Sequence, residues 1–388
     1  MNANVRATEL IGPNPKGAVR RVSLAVREAL STIPAGQPAT VVVGCSGGPD
    51  SLALLVAATD YARRQGWHVE SLTVDHGIRS GSAEEAQQVS ALARTLGVNT
   101  AQVLPLTRQE SNLGPEGNAR EGRHQALQRA CRVLKRAMGN PVYLLLGHTL
   151  DDQAETVLLG LARGSGLRSL AGMEPISQPA TENDPTIMRP LLQCRRHDTV
   201  LTCEKLGLPA IDDPTNRADG PWRTADGSAL RRAAVREFAL PSLAAALGQD
   251  PAPALMRTAS QLRRDNDCLD EIASELLRQV TLPAGVSIYT GRTARLELDW
   301  EAMQGLHPAI ISRTVRLAAL QAGANGAALN STHIEALTAL VNDYRGQGPV
   351  YLPGGVVAAR IRLDKPTEHG QPGLSVPTQG APLRLRFS

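Results

Sequence analysis

The sequence predicts an open, doubly wound α/β domain built on a parallel sheet, followed by a smaller α+β domain. Three observations carry that expectation. Short β-branched runs alternate with helical stretches as far as residue 162. The strand candidates are apolar on both faces, as strands covered by helices on both sides must be. After Gly164 the alternation weakens into polar loops and scattered short elements.

The first strand candidate is 39–43, ended by Gly44 and a Gly-Gly-Pro turn, and helical periodicity then runs over 51–64. A second strand candidate spans 68–74. Ser82-Ala83-Glu84-Glu85 reads as a capping box, serine and glutamate satisfying the first free amides of a helix that runs to about residue 96. A third strand candidate (99–106), a basic helix (118–136), a fourth, apolar strand (141–146) and a helix over 150–162 complete the alternation. Ligands of such sheets bind at the carboxyl ends of the strands, so chemistry is expected in the turns that follow them. Beyond lie a polar loop (178–185), a helix (195–206) and a long segment rich in Asp, Gly and Arg (212–228). A long helix from Pro251 to about residue 280 comes next. Strand candidates at 286–289 and 295–298, helices over 301–322 and 331–343, and paired strands within 350–362 make the second domain. The tail beyond Asp364 is expected to fray. The expected boundaries are 20–243, 250–365 and, for a flexible tail, 366–388.

At 388 residues the chain is long enough for two domains with separate cores. Its 42 % apolar and 20 % charged residues exclude a disordered chain, and no run approaches the ~18 apolar residues of a membrane helix. The first twenty residues contain no apolar stretch long enough for a signal peptide. The five cysteines (Cys45, Cys131, Cys194, Cys203, Cys268) form no C-x-x-C pair, which argues against a zinc ribbon, a disulfide framework or an iron–sulfur run. A reduced, cytoplasmic protein away from membranes is the expectation.

The net charge is only +4, from 41 Lys+Arg against 37 Asp+Glu, yet just four of the basic residues are lysines: Lys16, Lys135, Lys205 and Lys365. Codon bias accounts for such a preference. The alternative is that some guanidinium forks meet phosphates bidentately. Aromatics at 3 % argue against an array of stacked bases, but not against RNA held by backbone and shape.

The most informative segment is Val41-Val42-Val43-Gly44-Cys45-Ser46-Gly47-Gly48-Pro49-Asp50-Ser51. Strand, Gly-rich turn and helix in that order aim backbone amides and the positive helix end at an anion. Ser46 and Ser51 add hydroxyls, and Gly47 and Gly48 let the backbone come close. The Gly-Lys-Ser/Thr ending of a Walker A loop is missing, as is the G-x-G-x-x-G of dinucleotide folds. Asp50 beside phosphate calls for a bridging cation, which makes it a candidate Mg²⁺ ligand. Cys45 is expected to be a small buried side chain under the turn rather than a nucleophile.

Strand two ends in Val74-Asp75-His76-Gly77-Ile78-Arg79, where a turn capped by Asp75 competes with a ligand site. Strand four ends in Gly147-His148-Thr149-Leu150-Asp151-Asp152-Gln153-Ala154-Glu155-Thr156. A helix starting there puts Asp152 and Glu155 on one face at i, i+3, and Asp151 and Glu155 at i, i+4. The helix dipole alone favours acids in a first turn. Three carboxylates and His148 exceed what capping needs, however. They could hold Mg²⁺, bind a cationic substrate or accept a proton from an attacking amine.

The Ser-Gly-Gly-x-Asp-Ser loop resembles the pyrophosphate loop of ATP pyrophosphatases. In order, the three motifs resemble the tRNA(Ile)-lysidine synthases, N-type members of that PP-loop superfamily with a Rossmann-like sheet. Leu158-Leu159-Gly160-Leu161-Ala162-Arg163-Gly164-Ser165-Gly166, Arg189-Pro190-Leu191-Leu192, Asp213-Pro214-Thr215-Asn216 and Leu240-Pro241-Ser242-Leu243 continue the likeness over residues 38–243. Gly346-Gln347-Gly348-Pro349 and Leu352-Pro353-Gly354-Gly355 look like the end of shorter actinobacterial-type members. Two departures stand out. Gly147 replaces the first of two histidines common in the family, and residues 221–228 look inserted before Arg231, Arg232 and Arg236.

The resemblance implies that ATP activates C2 of cytidine 34 in the CAU anticodon of tRNA(Ile), and that the ε-amine of free L-lysine then displaces AMP. It implies ATP and Mg²⁺ as cofactors. Ser46, Gly47, Gly48, Pro49, Asp50, Ser51, Asp75, His76 and His148 would surround the nucleotide, with Asp50, Asp152 and Glu155 as the catalytic carboxylates and Asp50 on the metal. Arg79, Arg120, Arg123, Arg232 and Arg236 would meet the tRNA. A homodimer is implied at the family level alone. A tRNA thiolase of the same superfamily would need paired cysteines. The basic helix and second domain disfavour a small-molecule amidating synthetase, and the intact Ser46, Asp50, Ser51, Asp152 and Glu155 disfavour a decayed RNA-binding protein. Arg257, Arg263 and Arg278 lie on helices with no site nearby and read as codon bias.

Overall fold

Val41, Val42 and Val43 are fully buried, and the first sheet is built outwards from them. The computed structural model describes residues 6–75, 77, 81–106, 114–213, 217–220, 223–224, 227–283, 294–326, 328–362 and 383–388. Two compact units emerge, Met1–Arg263 and Arg264–Ser388.

The first unit runs α1 (Ala7–Ile11), α2 (Gly17–Leu30), β1 (Thr40–Gly44), α3 (Pro49–Arg64), β2 (His68–Asp75), α4 (Ser82–Thr95), β3 (Thr100–Pro105), α5 (Gly114–Met138), β4 (Val142–Leu146) and α6 (Leu150–Ala162). It continues through α7 (Leu167–Leu170), β5 (Ile176–Ser177), β6 (Thr186–Met188), α8 (Arg196–Leu206), α9 (Arg231–Ala234), a π turn (Val235–Ala239), α10 (Leu240–Leu247) and the start of α11 (Ala252–Val280). The sheet order is β3-β2-β1-β4-β6-β5, with β5 the one antiparallel strand among those described. Because side chains alternate along a strand, Val41 and Val43 pack with Leu52, Leu55 and Val56 of α3, while Val42 packs with Leu127 and Cys131 of α5. Truncating a leucine such as Leu55 to Ala would cost about 2–5 kcal/mol. Chain order reverses direction between β1 and β4, and that switch is where an open sheet leaves a crevice.

Several expectations change here. β5 and β6 flank the polar loop at 178–185 and were too short to be seen as strands. The capping box at 82–85 does not form. Gly81, at φ +89°, is the N-cap, and the Ser82 hydroxyl donates instead to Asp75 Oδ1 at 2.7 Å. The division between units falls inside α11, beyond the expected gap between residues 243 and 250, and α1 and α2 extend the first unit ahead of residue 20.

The second unit holds the rest of α11, β7 (Thr281–Leu282), β8 (Leu296–Asp299), α12 (Pro308–Gln321), α13 (Ser331–Asn342), β9 (Val350–Leu352), β10 (Val356–Arg362) and β11 (Leu383–Phe387), with the antiparallel sheet order β7-β8-β11-β10-β9. The helix expected over 301–322 is broken into a 3₁₀ turn (Glu301–Met303) and α12. Gly305 takes φ +75°, and His307 caps the new helix by accepting from the Ala309 amide at 3.1 Å. The strand candidate at 286–289 lies outside the described residues. The fraying tail is corrected at its end: β11 sits between β10 and β8, with Leu385 and Phe387 fully buried. Among the described residues, no helix is long and apolar enough to cross a membrane.

Candidate active site at the β1 and β4 strand ends

The turn after β1 is wired from inside. The Cys45 amide donates to Leu72 O at 2.9 Å, and the Ser51 hydroxyl accepts from the Ser46 amide at 3.1 Å and donates to Gly48 O at 3.0 Å. Gly47 has φ +87°, and a Cβ there would lie 2.6 Å from Val89 Cγ2 and 2.8 Å from Ile211 Cδ1, so glycine is required. Gly48 is the extended N-cap of α3 and Pro49 follows at its first turn, a residue with no amide hydrogen to strand. Cys45 is buried, and burial pushes its thiol above the ordinary value, which agrees with a packing role. The turn after β4 presses on this loop: a Cβ on Gly147 would lie 3.1 Å from the Asp50 carbonyl oxygen.

At the start of α6, Thr149 donates to Asp152 Oδ2 through both its amide and its hydroxyl, each at 2.8 Å. That orientation aims Asp152 Oδ1 at Arg196 Nη2, 3.0 Å away, with Arg236 Nη2 at 3.7 Å. Glu155, fully buried, accepts from Arg236 Nε at 2.6 Å and Nη2 at 3.1 Å, with Arg232 Nη1 at 3.8 Å. Asp50 Oδ2 lies 3.2 Å from Arg196 Nε, and its Oδ1 accepts from the Thr199 hydroxyl. Arg196 therefore bridges the phosphate-loop carboxylate to the α6 carboxylate. Asp151 turns away from Glu155 and accepts from the Arg196 amide at 2.7 Å and from Arg195 Nη2 at 2.9 Å.

The three carboxylates are not electrostatically equal. Burial raises the proton affinity of Asp50, an effect that Arg196 opposes and Asp152 reinforces. Burial likewise raises Glu155 above an ordinary glutamate despite Arg236. Asp152 is also buried, but Arg196, His148 and the Thr149 bonds outweigh that and hold it below the usual range. His148 is pushed down to about 3 by burial, with Arg120, Arg189 and Arg232 adding to the effect against Asp152, so it is neutral near pH 7.

The structure thus brings Asp50, Asp152, Glu155, Arg232 and Arg236 together beside the loop residues Ser46 to Ser51. Arg232 and Arg236, the arginines expected to meet RNA, have carboxylate partners in Glu155 and Asp152; Arg232 also donates to Thr156 Oγ1 at 3.2 Å. Asp75 Oδ1 accepts from the Gly77 amide at 2.9 Å and from Ser82, which is the turn-capping alternative. Arg120 Nη2 lies 3.9 Å from Met173 Sδ, and Arg123 is exposed on the same helix. His76 and Arg79 lie outside the described residues. Arg263, set aside above as codon bias, donates to Met173 O at 2.8 Å and to Ala171 O. Arg196 and Thr199 were missed, although two arginines opening a helix, at its positive end, are a visible anomaly.

Among the described residues, no three His, Cys, Asp or Glu converge on one point as a protein-built metal cage. Mg²⁺ commonly takes one or two carboxylates and fills its shell with substrate phosphates and water. Asp50, beside the loop and already facing a cation in Arg196, fits that lesser demand.

Residues 22–241 match the family model of the PP-loop domain, and residues 298–364 that of the TilS substrate binding domain. The tRNA(Ile)-lysidine synthase of Salinispora arenicola is 42 % identical over 342 residues, covering 88 % of this chain and 93 % of that protein. The enzyme of the same name from Thermobifida fusca is 42 % identical over 343 residues, covering 88 % and 94 %. The chain belongs to the tRNA(Ile)-lysidine synthase family. Like other lysidine synthases it is a tRNA-modifying enzyme whose PP-loop domain uses ATP. The second unit of this lysidine synthase contains the matched substrate-binding segment.

Proposed function

We propose that this lysidine synthase joins free L-lysine to C2 of cytidine 34 in the CAU anticodon of tRNA(Ile), through an adenylated cytidine, releasing pyrophosphate and then AMP. The observation that supports this most is the cluster of three carboxylates and three arginines directly beside the phosphate loop. The loop amides and the α3 N-terminus receive the phosphates of ATP. Mg²⁺, held by Asp50 together with those phosphates, would neutralise the charge that develops on the departing pyrophosphate. Arg79, Arg120 and Arg123 meet the tRNA backbone, while Arg232 and Arg236 set the carboxylates and keep side chains 23 % and 29 % exposed towards substrate. A cytoplasmic homodimer belongs to the same reading and rests on the family resemblance.

The chemistry asks two different things of Asp152 and Glu155. Lysine arrives with its ε-nitrogen protonated, since an unperturbed lysine titrates near ~10.4. Its nucleophilic form is the neutral amine. Asp152, held ionised by Arg196 and Thr149, is suited to binding the ammonium. Glu155, whose burial raises its proton affinity, is the better proton acceptor. The Glu155 carboxylate takes one proton from the ammonium, which frees the nitrogen lone pair, and the nitrogen then bonds to C2. The C2–O bond to AMP then breaks, and AMP leaves with the electron pair.

Incubating the protein with ATP, labelled lysine and a tRNA(Ile) transcript carrying CAU tests the proposal. ATP-dependent label in the tRNA is expected, with one AMP released per lysine incorporated. Clear ATP–pyrophosphate turnover with ammonia or a sulfur donor, and no lysine label, would refute it.

A further inference from the structure

The turn at 171–174 gathers three guanidinium groups. Arg189 Nη1 donates to Glu174 O at 2.8 Å and to Ser177 Oγ at 3.0 Å. Arg263 Nη2 donates to Met173 O at 2.8 Å, and Arg120 Nη2 lies 3.9 Å from Met173 Sδ. The turn is fixed by Gln153 of α6, which donates to Met173 O at 2.9 Å and accepts from its amide at 2.7 Å. Gly172, at φ +65°, is required there because a Cβ would lie 2.6 Å from Gln153 Oε1. The contacts that hold Arg189 and Arg263 in place therefore go to neutral acceptors.

Two buried nitrogens in this region, Arg189 Nε and His148 Nδ1, have no hydrogen-bond partner. The charges also repel. Arg189 has its hold on its proton loosened by burial and by Arg263, against Glu174. His124 is pushed down by burial, Arg189 and Arg120, against Glu121. Buried guanidinium groups beside two unmet nitrogens are complementary to an anion.

We propose that Arg120, Arg189 and Arg263, with His148, bind one backbone phosphate of the tRNA next to the reacting cytidine. The assignment rests on the reading above, in which tRNA is the substrate. His148 lies between Gly147, which touches the Asp50 backbone, and Thr149, which caps α6, so the cluster borders the reacting carboxylates. The nucleotide phosphates already have the backbone of the phosphate loop. Arg120 shares α5 with the basic residue Arg123, so positive charge continues along that helix for further backbone phosphates.

The test uses the full chain with Arg189→Gln and, because Arg189 also supports the 171–174 turn, Arg120→Met as a second variant. Binding of the CAU tRNA(Ile) transcript is measured across a salt series, together with the KM for ATP and inhibition by inorganic pyrophosphate. Each lost phosphate contact should flatten the slope of log K against log salt by about 0.7–0.9. A several-fold loss of tRNA affinity at low salt should accompany that change, with ATP and pyrophosphate parameters within about twofold of wild type. Weakened ATP and pyrophosphate with an unchanged tRNA slope would assign the cluster to the nucleotide and overturn the RNA assignment. Folded variants with neither change would overturn the site. The slope effect in the variants, alongside a wild-type chain that transfers no lysine, would sink the preceding proposal and leave this one standing.

Discussion

Glu155 in the first unit and Glu297 in the second are both fully buried carboxylates held by arginines, yet their surroundings differ in kind. Glu297 lies on β8 directly opposite Arg386 of β11, which donates at 2.6 Å, and Arg384, two residues along, donates at 2.9 Å. Strand pairing fixes that geometry, and the Arg386 side chain is only 6 % exposed. Glu155 sits on a helix whose arginines come from a separate α9–π-turn segment, and it shares them with Asp152. There the Arg236 side chain keeps 29 % of its exposure. A sealed pair locks a sheet; a shared and partly open one leaves its carboxylate able to exchange partners and protons.

Neutralising each glutamate should separate the two sites by the largest effects. Glu155→Gln should lower lysine transfer by about 10²–10⁴-fold, the usual worth of a positioned acid–base group, with the protein still folded. Glu297→Gln should do the reverse. Removing the buried Glu297 charge that faces Arg384 and Arg386 should cost about 3–5 kcal/mol in denaturant unfolding, while the folded fraction keeps its kcat. Similar behaviour in the two variants would erase the distinction.

The parts of the site that the sequence revealed are those made by neighbours in the chain. The phosphate loop, the acidic first turn of α6 and the order of strands and helices are all local patterns, so their residues could be named in advance. Arg196 reaches Asp50 across 146 positions of sequence, and no local pattern marks such a partner. The same reason hid the role of Arg263, whose acceptors Ala171 and Met173 are 92 and 90 residues away. β11 was hidden differently. Its Leu-Arg-Leu-Arg-Phe alternation fits a strand, but the Pro- and Gly-bearing stretch before it made the whole tail look loose.

A smaller effect separates the loop from the cluster. Gly47→Ala forces a side chain into a positive-φ position against Val89 and Ile211, at about 1–3 kcal/mol of strain. The KM for ATP should rise several-fold while tRNA affinity stays put. Equal loss of both would mean that the loop also carries the RNA.

The most graded prediction concerns pH. Activity needs Glu155 ionised, and its raised proton affinity should place the acid limb of the pH–rate profile above the 4.5 of an ordinary glutamate. Arg236→Gln should move that limb higher, because Arg236 is what holds the group down. Stability follows the same signs. Asp50 and Glu155 take up protons in the folded state before the unfolded one, so each contributes a rise in stability as pH falls through its folded value towards its unfolded one. Asp152 does the opposite: its contribution is present above 3.8 and lost as pH falls through its lowered folded value. A profile whose acid limb lies at or below 4.5 would contradict the role given to Glu155.

The central claim is that this carboxylate–arginine cluster handles the incoming lysine rather than the RNA. Asp152→Asn tests it most directly, with lysine incorporation and tRNA affinity measured on the same preparation. The account predicts incorporation lowered by about 10²-fold or more with tRNA affinity within about twofold of wild type. A matching loss of tRNA affinity, or undiminished incorporation, would contradict it.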